Sequence, residues 1–92
     1  MTEPSANAEV TLRYFAWLRE RVGVSEERLK LPSEIRTVSD LLAWQSRRGP
    51  PFDHAFAKPD AIRVALDHAH VKPTAAIGSA REIAFFPPVT GG

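Results

Sequence analysis

Ninety-two residues, 43% apolar and 25% charged, suffice for one domain with a single modest core; they exclude a second core, a fibrous repeat and an intrinsically disordered chain. The net charge of +1 comes from twelve basic residues scattered among eleven acidic ones, with no cationic stripe to follow a phosphate backbone, so nucleic acid is not an expected partner. Zero cysteines exclude disulfides, thiolate metal sites and thiol chemistry on this chain, and no run approaches the ~20 apolar residues that span a bilayer, so a cytoplasmic protein with no membrane partner is expected.

Residues 1–8 hold neither a basic region nor an apolar core and read as a flexible leader. From Val10, VTLRYFA alternates: Val10, Leu12 and Tyr14 share one face, Thr11, Arg13 and Phe15 the other, which predicts a strand. WLRERVG predicts a short helix, with Gly23 placed for a left-handed cap. Leu29 and Leu31, two apart among charges, predict a half-buried strand over 26–31 that Pro32 ends. Thr37 then stands as N-cap and Asp40 as the third residue of the main helix, VSDLLAWQSRR. Val38, Leu41, Leu42 and Gln45 form its apolar stripe, Trp44 widens it, and Arg47 and Arg48 neutralise its C-terminal end.

The stretch 49–61 is a proline-containing connection with one helical turn at FDHAFA. IRVALD alternates as a strand, DHAH turns tightly into a short HVKP strand, and EIAFFP, 82–87, is the last strand. About five short strands and one main helix in this order predict an α+β roll over 9–88, a mixed sheet wrapping a helix in the β-grasp, ubiquitin-like manner. That roll serves many functions, so the chemistry must come from particular residues.

Residues 89–92 read as a flexible tail. Gly91 and Gly92 lack a Cβ and can pass extended through a channel one backbone wide. The Gly92 carboxylate, ordinarily with a pKa of about 3.5, is ionised and a poor electrophile, so it needs activation, as by adenylation on a partner that uses ATP. Pro87 and Pro88 carry no N–H and hold φ near about −65°, which ends the ladder and aims the tail as a stiff arm. Strand alternation leaves Phe86, or Phe85 if the register shifts by one, near the surface, where an aromatic beside the tail anchors an interface.

Other motifs carry less. His68 and His70 on a strand are half a metal site, but with no cysteine they read as solvated turn residues. Asp53, His54 and Asp60 stand near no serine or cysteine nucleophile at a recognisable spacing and read as charged surface. Arg19, Glu20 and Arg21 either face an acidic partner or solvate a helix.

FFPPVTGG, together with YFAWLRERVG, resembles the small sulfur-carrier subunit of molybdopterin synthase, the MoaD family of ubiquitin-like proteins, over 9–92. The resemblance implies that an E1-like adenylyltransferase joins the Gly92 carboxylate to AMP and that a sulfur donor system converts it to a thiocarboxylate. The loaded tail then enters the large catalytic subunit and gives its sulfur to cyclic pyranopterin monophosphate. The chain would itself be non-catalytic, bind no cofactor or metal, and form a heterotetramer with the large subunit. By the same resemblance Gly91 and Gly92 are the reacting end, Val89 and Thr90 thread the partner's channel, Phe86, Pro87 and Pro88 form the tail base, and Phe15 and Arg19 lie near the partner surface. In a β-grasp the first and last strands are parallel neighbours, so Phe15 can share a patch with Phe86; burial in the core is the other placement open to it. A ubiquitin-like modifier, or a carrier for another sulfur product such as the thiamine thiazole, are the alternatives. The long leader and the 49–61 connection depart from the family pattern.

Overall fold

Alternation along the first segment produces an interior strand. Val10, Leu12 and Tyr14 point inward from β1 (Glu9–Tyr14) at 6%, 0% and 1% exposure, while Thr11 and Arg13 face out. The computed structural model describes residues 9–88; the leader 1–8 and the tail 89–92 lie outside the described residues. The helix α1 (Ala16–Val22) follows directly, buries Leu18 and Val22, and ends at Gly23, whose φ of 97° is the left-handed cap expected there. β2 (Glu26–Lys30) returns antiparallel to β1, with Val10 opposite Leu29.

The main helix α2 (Val38–Ser46) starts from the expected capping box. Thr37 Oγ1 accepts the Asp40 N–H, and Asp40 Oδ2 accepts the N–H groups of Arg36 and Thr37, each at 3.1 Å. Those backbone donors, Arg36 first, hold the Asp40 carboxyl below the usual carboxylate range. The stripe Val38, Leu41, Leu42 and Gln45 is buried, as its spacing predicts.

The 49–61 connection contributes more to the core than its prolines suggest. It folds as α3 (Phe52–Ala55) and a 3-10 turn at Pro59–Ala61, and it seats Ala55 and Phe56 in the core at 2% and 1% exposure. β3 (Arg63–Leu66) and β4 (Ala69–Val71) then form a hairpin over Asp67 and His68, both left-handed with φ of 48° and 75°, the backbone of a two-residue type I′ turn. Asp67 Oδ1 accepts the Arg81 and Glu82 N–H groups at 3.0 and 2.9 Å, tying this turn to the start of β5 (Glu82–Phe86) and lowering the Asp67 pKa, the Glu82 bond first among its causes.

The five strands lie in the order β2-β1-β5-β3-β4, with β1 and β5 parallel at the centre and every other pair antiparallel. This is the β-grasp expected from the order of elements. No described helix is long and apolar enough to cross a membrane. Phe85 is fully buried, stacked on Tyr14 at 5.5 Å and edge-on to Phe56 at 5.3 Å, which settles the register in favour of Phe86 as the outward ring.

Arg48 does more than face a helix end. It donates to Glu27 Oε1 at 2.6 Å, Glu27 Oε2 at 3.2 Å and Gln45 Oε1 at 2.8 Å, and its guanidinium lies over the rings of Phe52 and Trp44. Tyr14 donates to Glu27 at 2.7 Å and accepts from the buried Gln45 amide at 2.9 Å. One closed polar network thus joins β1, β2, α2 and α3 beneath the end of β1. Burial pushes the Tyr14 phenol above its usual range. Glu27 moves down despite its own partial burial, because the Arg48 and Tyr14 hydrogen bonds favour its carboxylate.

Candidate functional site

Parallel pairing brings the ends of β1 and β5 together. Tyr14 lies opposite Phe85, both pointing inward, so the next residues, Phe15 and Phe86, emerge on the outer face. The Phe15 N–H donates to the Phe85 carbonyl at 3.1 Å, which locks this last step of the ladder. The two rings then meet edge-on, centroids 6.4 Å apart and planes at 83°. Phe15 is 40% exposed, so it belongs to the surface patch and not to the core. Ala16, at φ 56°, turns the chain sharply into α1 in a left-handed conformation that costs a residue with a Cβ on the order of 1 kcal/mol.

Neighbouring strands complete the patch. The Arg13 guanidinium lies 5.4 Å from the Phe15 ring centroid and makes long ion pairs to Glu26 at 3.8 Å and Glu82 at 3.6 Å. His70, on β4, meets Phe86 edge-on at 5.0 Å. Ala84 and Ala65 face each other between Arg13 and His70 and form a small-residue floor. Ala65 is 6% exposed yet lies outside the apolar core cluster; the larger side chains around it cover it on the outer face.

Of the residues singled out from the sequence, the structure unites Phe15 and Phe86 and sets Pro87 and Pro88 directly after them, partly buried and outside any strand. Arg19 is exposed on α1 and is joined to the aromatic pair by no hydrogen bond or ion pair among the described residues. Val89, Thr90, Gly91 and Gly92 lie outside the described residues. The sequence places both histidines in a solvated turn; only His68 occupies the turn, while His70 lies on β4 and belongs to the patch. Alternation along HVKP, which puts His70 and Lys72 on one face, was the available signal.

The arrangement suits docking. No group of three or more potential metal ligands occurs among the described residues. An apolar groove of about 580 Å³ between α2 and the β3–β4 hairpin includes neither Phe15 nor Phe86 in its walls. What the site presents is two aromatic rings on the sheet, where β5 passes into Pro87 and Pro88.

Comparison with known proteins agrees with this geometry. The ThiS family profile matches residues 12–92. Small archaeal modifier protein 1 of Haloferax volcanii aligns with 92% of this chain and 100% of its own, at 26% identity and a TM-score of 0.66. The Pyrococcus furiosus protein described as molybdopterin converting factor, subunit 1, aligns over 88% of this chain and 98% of its own, at 24% identity and a TM-score of 0.62. Small archaeal modifier protein 1 of Methanosarcina acetivorans covers 94% and 98%, at 21% identity and 0.57. The latter two show the shared fold alone. A search of curated proteins returns no match. With a profile match over nearly the whole chain and the β-grasp in place, the chain belongs to the ThiS family of ubiquitin-like sulfur carriers.

Proposed function

We propose that this chain is the sulfur-carrying small subunit of molybdopterin synthase. The observation that carries the proposal is the Phe15–Phe86 pair, set edge-on at the end of the parallel β1–β5 ladder, one residue before Pro87. A partner that takes up the tail covers these rings, and burying them supplies the anchor that a short tail lacks.

In the proposed cycle a Gly92 carboxylate oxygen attacks the α-phosphorus of ATP on an E1-like adenylyltransferase, and pyrophosphate leaves. A sulfur nucleophile delivered by a donor system adds to the acyl carbon and expels AMP, which leaves a thiocarboxylate. In the large catalytic subunit the thiocarboxylate sulfur bonds to a carbon of cyclic pyranopterin monophosphate, and water cleaves the acyl carbon–sulfur bond of the resulting thioester, which leaves the sulfur on the pterin and regenerates the Gly92 carboxylate. The chain contributes position and the reacting terminus, while its partners bind ATP and the pterin. The stiffness of Pro87–Pro88 lowers the entropy lost when the tail is threaded.

A second reading, supported by the 26% identity with the Haloferax volcanii modifier protein, ends Gly92 in an isopeptide bond to a lysine. Intact mass of untagged protein from its own cells separates the two. Exchange of one oxygen for sulfur supports carriage; branched lysine conjugates support modification. Deleting Gly92, or adding one residue after it, is expected to abolish sulfur transfer without altering the fold. Transfer retained after either change sinks the mechanism.

A further inference from the structure

Across the end of the sheet the strand register builds one continuous row on the outer face. Phe15 lies beside Phe86, Phe86 pairs with Arg63, and the register Val64↔Val71 puts Lys72 opposite Arg63 one step on. The row therefore reads aromatic, aromatic, cation, cation, from β1 through β5 and β3 to the end of β4. His70, against Phe86, fills the adjacent row on the same side. Arg63, His70 and Lys72 are all exposed.

The carboxylates of Glu26, Glu82 and Asp67 are already engaged. Glu26 and Glu82 pair with Arg13, and Asp67 takes two backbone N–H groups. Arg63 donates only a long 3.3 Å hydrogen bond, to the backbone carbonyl of Asp60, and among the described residues neither Arg63 nor Lys72 makes an ion pair. A patch that is apolar on one half and cationic on the other is thus left beside the departing tail.

We infer that Arg63 and Lys72 are docking residues, and that the partner receiving the tail presents carboxylates beside the apolar recess that takes Phe15 and Phe86. The inference rests on the proposed function, because it names the chemistry of the surface that covers the same patch. Paired aromatics give the complex its lifetime, whereas exposed rim charges steer the approach and fix the orientation about the tail. Two cations on one side of an aromatic pair also exclude the inverted orientation, which would lay apolar rings against the partner's acids.

The test measures association and dissociation of the full chain with the large subunit of molybdopterin synthase at several salt concentrations. Wild type is compared with Arg63→Glu, Lys72→Glu and the double variant, with Phe86→Ala as the control for the docking face. Each charge reversal is expected to slow association about threefold to tenfold at low salt, to leave dissociation nearly unchanged, and to flatten or invert the salt dependence. Circular dichroism checks that each exposed substitution leaves the fold intact. Unchanged association and salt dependence in the reversed variants, with binding still lost in Phe86→Ala, overturn this inference and spare the proposed function. A wild type that does not bind the large subunit, or a Phe86→Ala variant that binds it normally, overturns both. Concentration-dependent dimerisation that either charge reversal abolishes assigns the face to a second copy and overturns the inference as well.

Discussion

Replacing Tyr14 by Phe removes one oxygen from the buried polar network and nothing else. Tyr14 is 1% exposed, so the new ring fits the old space, still stacked on Phe85. The loss falls on its two partners. Glu27 keeps both Arg48 bonds, at 2.6 and 3.2 Å, and loses only the 2.7 Å phenol donor. Gln45, at 0% exposure, is left with an amide N–H whose 2.9 Å acceptor is gone and which water cannot reach. One lost hydrogen bond costs about 1 kcal/mol and an orphaned buried donor about 1–3 kcal/mol, so a total of about 2–4 kcal/mol is expected. For a domain of this size that lowers Tm by roughly 8–30 °C. Urea unfolding, followed by tryptophan fluorescence and far-ultraviolet circular dichroism together, measures the change and tests two-state behaviour. Adding Gln45→Leu removes the orphaned donor but also the Oε1 that accepts from Arg48, so the double variant is expected to cost less than the two single variants summed. A cost below about 0.5 kcal/mol for the single variant, or a double variant weaker than the sum of its parts, refutes a closed network as the source of stability.

Adjacent phenylalanines on β5 are expected to separate folding from docking. Phe85→Ala empties a core position packed by Tyr14 and Phe56 and costs about 3–5 kcal/mol, whereas Phe86→Ala changes stability little and abolishes docking to the large subunit; thermal unfolding and binding, measured side by side, check both. Glu27, Asp40 and Asp67 all have folded-state pKa values below the ordinary carboxylate range. Their contribution is therefore complete above the unfolded-state carboxylate pKa of about 4 and is lost as pH falls through the lower folded values. The urea midpoint is expected to drop on acidification, and to drop less steeply in a Glu27→Gln, Asp40→Asn, Asp67→Asn variant; equal slopes would contradict the assignment.

Much of this protein was legible along the chain, wherever a short-range rule sufficed. Side-chain alternation in VTLRYFA and EIAFFP, the Thr37 cap with Asp40 in the first turn, and the Gly23 cap all depend on covalent geometry within a few residues, and each is found where its pattern predicts; the turn expected over DHAH is confined to Asp67 and His68. Three features needed more than local pattern. Alternation favours Phe86 over Phe85 as the outward ring, and the parallel register of β1 and β5, strands about seventy residues apart in sequence, settles it. The seating of Phe56 in the core, from a connection its prolines mark as surface, depends on how α3 packs beside Tyr14 and Phe85. Arg48, a helix-end cation by sequence, becomes the hub of a buried network only because β2 delivers Glu27 to it. The sequence by itself determined which residues lie on one face of each element. Tertiary structure alone decided which faces meet, because strand pairing brings distant residues within contact at a register that no local propensity encodes.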